Sequence, residues 1–253
     1  MSESLKNKTE LDVGGTESAP VESRMVINPQ GARIERLSLG DRLVFGSVVR
    51  GDGREASSHP CTPIFGPETS TSYGLSQHGP MRNELSTVEE RGSNLVILSH
   101  EIKSGSYPQG MHVRQSFAMF GNNFTLETVH TNNGEQDAPV NFGEHFYWAA
   151  PNGWEGLRIN GDDVTDAVKN DLVIPLQARN QIVIPGLPEI ILEQEGLPVA
   201  NLWVYHNEET GKYDQDYVCI EPVEGDPTKN SFGSPESMIA PGSSRKTLIT
   251  IKA

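Results

Sequence analysis

From Met25 onward the chain runs as short segments in which apolar and polar positions alternate with a period of two, separated by turn residues. That is the pattern of half-buried strands. Met111 to Phe120 and Phe124 to Thr131 form the clearest pair, joined by Gly121-Asn122-Asn123, residues that tolerate the positive φ of a tight hairpin. A second turn follows at Asn132-Asn133-Gly134. Further strands are predicted over Arg33 to Ser38, Arg42 to Val48, Asn94 to Lys103, Pro139 to Tyr147 and Ile182 to Ile184. Glu189 to Glu193, Asn201 to His206, Tyr217 to Glu221 and Lys246 to Lys252 complete the set, and no stretch reads as a long amphipathic helix. Many short strands without crossover helices predict an all-β fold, a large antiparallel β-sandwich. The lack of a repeat at fixed period disfavours a propeller or a solenoid. One connection breaks the short-loop rule: Gly51 to Ser76 carries Gly, Pro and Ser without sustained alternation. Long ordered loops of that kind are usually functional.

The 253 residues are 35% hydrophobic and include 25 glycines and 17 prolines, so the chain can bury a core while spending many positions on turns. This argues against a helical bundle. A single β-sandwich domain is expected over residues 23–253, preceded by a disordered polar tail over residues 1–22, which are rich in Ser, Glu, Thr and Gly. A net charge of -14 repels a phosphate backbone and an anionic bilayer alike, and Lys and Arg form no patch that would offset it. No run approaches the roughly 18 apolar residues of a spanning helix. The opening MSESLKNKTE lacks the apolar core of a signal peptide. The expectation is a cytoplasmic protein with neither nucleic acid nor membrane as partner. Cys61 and Cys219 do not make a disulfide framework and are both expected to be reduced.

Three peptides stand out chemically. In Gln77-His78-Gly79-Pro80-Met81-Arg82-Asn83 the backbone turns sharply beside a histidine, which places His78 at a loop mouth rather than on an apolar strand face. Alone, His78 reads equally as a solvated loop histidine, and Arg82 as a surface arginine paired with a carboxylate. In Gly143-Glu144-His145-Phe146-Tyr147-Trp148, alternation puts His145 and Tyr147 on one face and Glu144, Phe146 and Trp148 on the other. Polar groups buried this way need partners or a ligand, and a satisfied core histidine is the plain alternative. In Tyr217-Val218-Cys219-Ile220-Glu221-Pro222 the first, third and fifth residues share a face, and Pro222 is expected to end the strand. A strand-end Glu221 among mostly uncharged groups suits a general base working near neutrality, or is simply exposed. His59, His100, His112, His130 and His206 stand singly, and no pair has the spacing of a metal site, so no metal is expected. Sequences of the GxSxG, Walker and GxGxxG types are absent.

Taken in order, these features resemble the aldose 1-epimerase (mutarotase) family, whose fold is the galactose-mutarotase-like β-sandwich. The matching order is Gly31-Ala32-Arg33-Ile34, QHGPMRN, GEHFYW, CIEP and then Ala240-Pro241-Gly242-Ser243, and it spans about residues 25–253. The resemblance implies that Glu221 is the base and His145 the acid of sugar-ring opening. It further implies that His78 orients the sugar beside its ring oxygen, and that Arg82 binds substrate. Sugar rings present apolar C–H faces that stack on side chains such as Tyr147, Trp148 or Trp203, although Trp203 is first expected in the core. The implied reaction is interconversion of the α and β anomers of a hexose, without cofactor, by a monomer or homodimer whose partner is a small sugar.

The chain also departs from the family pattern. Residues 59–67 lack the family's arginine, and the sugar-binding aspartate has no clear counterpart among Asp162, Asp163 and Asp166. The branch acting on hexose 6-phosphates carries Thr-Asp-Arg, whereas here Thr165-Asp166 precedes Ala167. A free hexose is therefore the first substrate reading. A 6-phosphate is the second, for which some of Arg54, Arg82 and Lys212 should meet at one rim. A carbohydrate-binding sandwich without catalysis is the third.

Overall fold

The computed structural model describes residues 11–13, 23–68, 73–229 and 231–253. Two antiparallel sheets face one another. Ten strands of the described residues make the first, in the path Leu11–Val13, Arg24–Asn28, Arg33–Leu39, Arg42–Gly46, Tyr147–Ala149, Tyr217–Val223, Gly143–His145 and His59–Cys61. Val199–Trp203 and Val173–Pro175 branch from Tyr217–Val223. Nine strands make the second sheet, centred on Ser244–Lys252, Asn123–Asn132, Met111–Phe120 and Leu95–Glu101. The hairpin expected around Gly121 forms in full register from Met111↔Asn132 to Phe120↔Asn123, with Gly121 at φ 59°. The all-β sandwich is thus the observed architecture, and no helix among the described residues is long and apolar enough to cross a membrane.

Departures from the predicted elements have local causes. Within residues 1–22, expected as a tail, Leu11–Val13 is a strand paired with Met25–Ile27, and the rest of that span lies outside the described residues. Thr87–Arg91 is an edge strand that alternation does not mark, because all five of its residues are exposed. The strand expected over Pro139 to Tyr147 is broken: Gly143–His145 pairs with His59–Cys61, whereas Tyr147–Ala149 pairs with Arg42–Gly46 and Tyr217–Val223. Pro222 does not end its strand, which continues to Val223 opposite Val199. One missing N–H removes one ladder bond and leaves its neighbours intact.

Phe45, Phe146 and Trp148 pack between the sheets, with ring centroids 4.6 Å apart for Phe45–Phe146 and 4.8 Å for Phe45–Trp148. Trp148 Nε1 donates to the Ile220 carbonyl at 3.0 Å, which satisfies its one polar group. Cys61 and Cys219 are both buried and free. The interior also holds a carboxyl: Glu144 Oε1 accepts from Gln115 Nε2 at 2.8 Å, a bond running from one sheet to the other. Burial pushes the Glu144 carboxyl well above the ordinary range, and the Gln115 amide opposes this only in part.

A proton held more tightly in the folded state stabilises the fold below the unfolded pKa, and that stabilisation is lost as pH rises through the folded value. Urea unfolding is therefore expected to show wild-type stability falling as pH rises above roughly 4.3, with Glu144→Gln flatter and relatively more stable at alkaline pH. Parallel pH profiles for the two proteins would contradict this.

Candidate functional site

The break at Phe146 turns two successive short strands so that His145 and Tyr147 present their rings together, stacked at 4.8 Å and 11°. The neighbouring strand Tyr217–Val223 carries Glu221, and Glu221 Oε1 lies 2.8 Å from His145 Nε2. Alternation does the sorting, since Glu144 points to the second sheet while His145 faces the opposite way, toward a cavity of about 500 Å³. Glu221, His145, His78, Arg82 and Tyr147, all singled out from the sequence, line that one cavity. Trp203 lines it too rather than being wholly in the core, whereas Trp148 is fully buried.

His78 is held by two neighbouring turns. Its N–H donates to the Gly66 carbonyl at 2.8 Å and its Nδ1 accepts from the Gly66 N–H at 3.2 Å. An Nδ1 that accepts leaves the proton on Nε2, which makes His78 a neutral donor and requires the Gln77 amide, 3.3 Å from Nε2, to turn its oxygen rather than its nitrogen toward the ring. Burial, followed by the proximity of His145 and Arg82, takes His78 down to about 2, so the ring stays uncharged. His78 itself has φ 62°, and Gly79 follows at φ 73° with the Thr62 carbonyl where a Cβ would stand.

Several wall residues were not singled out from sequence. His59 stacks on His145 at 4.9 Å and is paired with it in register, and its Nδ1 lies 2.8 Å from the Ser57 carbonyl. Burial drives its pKa well below the usual value. Asn201 stands directly opposite Glu221 across the strand pair, with its Nδ2 2.8 Å from Glu221 Oε2 and 3.0 Å from Asp171 Oδ1. Asp171 is thus an aspartate in the wall, whereas Asp162, Asp163 and Asp166 do not line the cavity. His59 and Asn201 gain their meaning from strand register, which the order of residues does not reveal.

The cavity is also cationic within an acidic protein. Arg33, Arg50, Arg54 and Arg82 line it, and Lys212 does not. Arg50 is 2.9 Å from Asp52 and lies over the Trp203 and Tyr205 rings at 5.1 and 5.0 Å. Arg33 donates to the Arg82 carbonyl at 2.9 Å, yet among the described residues neither guanidinium pairs with a carboxylate. Arg82 Nε is buried without a partner. Burial, then Arg82, lowers the pKa of Arg33. One further cluster brings donor atoms of His145, Cys219 and Glu221 within 4.8 Å of one another. Burial, then the Glu221 carboxylate, pushes the Cys219 thiol well above its usual value.

Comparison with known proteins follows the same lines. The family model described as Aldose 1-epimerase matches residues 23–181. Among solved structures, a galactose mutarotase related enzyme from Lactobacillus acidophilus shares 16% identity, with a TM-score of 0.74 over 96% of this chain and 96% of that one. A galactose mutarotase-like protein from Lactobacillus casei shares 13%, with a TM-score of 0.74 over 96% and 99% of the two chains. A GalM/aldose epimerase homologue from C. elegans shares 12%, with a TM-score of 0.63 over 97% and 98%. These likenesses establish a common fold. No curated protein matches the chain.

The clasp around His78 is open to a direct test. Gly79→Ala would force an alanine into left-handed backbone, costing roughly 1–2 kcal/mol, and push its Cβ into the Thr62 carbonyl. A lowered thermal midpoint and altered His78 ring resonances are expected, and an unchanged midpoint would show that the clasp yields.

Proposed function

The chain belongs to the aldose 1-epimerase family, and from that premise we propose that it interconverts the α and β anomers of a hexose, with Glu221 as base and His145 as acid. The observation that carries this reading is the 2.8 Å between His145 Nε2 and Glu221 Oε1. Anomer exchange moves one proton off the C1 hydroxyl and one onto the ring oxygen. Both oxygens are bonded to C1, so the groups that serve them must be neighbours.

The step starts with His145 protonated and Glu221 ionised. Glu221 takes the C1 hydroxyl proton, the bond from C1 to the ring oxygen breaks, and that oxygen takes a proton from His145. The product is the open-chain aldehyde. After rotation about the C1–C2 bond the same two groups, now in exchanged protonation states, return the protons as the ring closes on the other face of the carbonyl. No cofactor enters this balance. His78, a neutral Nε2–H donor, hydrogen-bonds a sugar oxygen without competing for the proton, and Tyr147 and Trp203 supply ring faces for the sugar's C–H surface. A non-catalytic sugar-binding module has no need of an acid and a base in contact.

A second reading, in which the hexose carries a 6-phosphate, rests on the arginines. Two of the three cations expected for it, Arg54 and Arg82, line the cavity, and they are joined by Arg33 and Arg50. Arg50 and Arg54 both pair with Asp52, whereas the guanidinium groups of Arg33 and Arg82, without carboxylate partners, suit a phosphoryl group, which they bind by charge-assisted hydrogen bonds.

Exchange NMR with glucose, galactose and their 6-phosphates, after subtraction of the uncatalysed rate, tests both readings. Glu221→Gln is expected to lower exchange by about 10²–10⁴-fold in a folded protein, and retention of full activity would remove the base assignment. A preference for 6-phosphates that disappears in Arg82→Met would select the second reading. A preference for free sugars, unaffected by that change, would reject it.

A further inference from the structure

Glu221 has two oxygens, and its surroundings treat them differently. Oε1 faces His145 at 2.8 Å, while Oε2 accepts from Asn201 Nδ2 at 2.8 Å. The same Asn201 nitrogen reaches Asp171 Oδ1 at 3.0 Å. An amide nitrogen carries two hydrogens, so one can go to each carboxylate. Two carboxylate acceptors also fix which way the amide faces, because its oxygen in that place would repel both.

Each partner is held by backbone geometry. Asn201 pairs with Glu221 on one side of its strand and with Val173 on the other, so its position is set from both flanks. Asp171 follows the short helix Thr165–Lys169 at φ 53°, in left-handed backbone where glycine is commonest. The chain keeps a side chain there, and that side chain ends on Asn201. Burial pushes the Asp171 carboxyl up, Asn201 opposes the shift and Glu221 adds to it, the arrangement of two carboxylates kept close by one amide.

We infer that Asn201 is a positioning residue for Glu221, anchored in turn by Asp171: it ties down Oε2 and thereby dedicates Oε1 to the substrate proton. The inference rests on the reading of Glu221 as the base. A carboxylate free to rotate about its last bond would offer either oxygen, or neither, to the C1 hydroxyl. Tied through Oε2, it presents one oxygen in the one orientation that also meets His145. Asn201 need not touch the sugar for this, and the link from Asp171 to Glu221 runs through Asn201.

The test combines kinetics with a structure that does not depend on turnover. Asn201→Leu removes the amide at similar size and is expected to lower kcat by about 10- to 100-fold with KM within about twofold. Asp171→Ala should also reduce kcat. Asp171→Asn, whose amide oxygen still accepts from Asn201, should recover activity to within about threefold of wild type. The double variant Asn201→Leu/Asp171→Ala should be no worse than Asn201→Leu alone, as expected of two residues that act on Glu221 through one chain of hydrogen bonds, and the loss in kcat at constant KM is what a merely structural role would not produce. Additive losses in the double variant, or a raised KM with kcat retained, would overturn the inference. A crystal structure of Asn201→Leu should show the Glu221 carboxylate turned away from His145, and an unmoved carboxylate would overturn the inference whatever the kinetics. If Asn201→Leu does not fold, the isosteric Asn201→Asp, which has lone pairs where the amide had N–H groups, supplies the same two readings. Wild-type protein inactive on every sugar, together with a displaced Glu221 in the variant, would remove the proposed function and leave the positioning role standing.

Discussion

Everything at the site depends on one contact, His145 Nε2 against Glu221 Oε1 at 2.8 Å, made between two strands that are not consecutive in the chain. Strand alternation ties that contact to the core. Every residue that faces the cavity from these strands is flanked by residues that face the other sheet: His145 by Glu144 and Phe146, Glu221 by Ile220 and Pro222. The backbone that carries the polar pair therefore shifts only if the packing of Phe146 on Phe45 and the bond from Trp148 to the Ile220 carbonyl shift with it. A precise polar geometry on a sheet surface is supported by ordinary apolar packing one residue away.

Charge is arranged with similar economy. The protein as a whole is strongly acidic, yet its cavity gathers four arginines around two buried histidines, His59 and His78, that burial holds neutral. Two more imidazolium charges there would repel both the arginines and His145. Neutral rings instead provide directed hydrogen bonds and stacking surfaces, and in the proposed mechanism they leave the acid–base work to His145, the cavity histidine that touches a carboxylate. The tautomer of His78 follows from a single backbone N–H, that of Gly66, which lies in the long connection preceding the His78 loop.

Alternation and turn chemistry were enough to read the sandwich and its principal hairpin, because long half-buried strands announce their inward face. They fail where burial is one-sided in neither sense, as in the fully exposed Thr87–Arg91, which goes unmarked, and around the fully buried Gly143–His145, whose faces are read correctly but whose strand ends are not. The five site residues read from sequence share a property: each sits in a peptide whose neighbours constrain it, such as the glycine after His78 or the aromatics around His145. His59, Asn201 and Asp171 have no such local mark. His59 matters because its strand pairs in register with His145, Asn201 because it stands opposite Glu221, and Asp171 because a helix ends where Asn201 can reach it. Register is set by the whole sheet, so no window of sequence contains it.

The proposed chemistry fits this architecture for an energetic reason. Anomer exchange is close to neutral overall, and the two groups end one half-reaction in the protonation states that begin the reverse, so the enzyme gains nothing from a large movement between steps. What it needs is an acid and a base whose separation stays the same while the open-chain sugar rotates between them. Side chains on adjacent strands, with one carboxylate oxygen tied to a cross-strand amide and the imidazole packed against both His59 and Tyr147, meet that need better than groups carried on flexible loops. In the proposed reading, sugar recognition falls instead to groups outside these strands, such as His78 and Arg82, so that adjustment to different substituents leaves the acid–base pair in place.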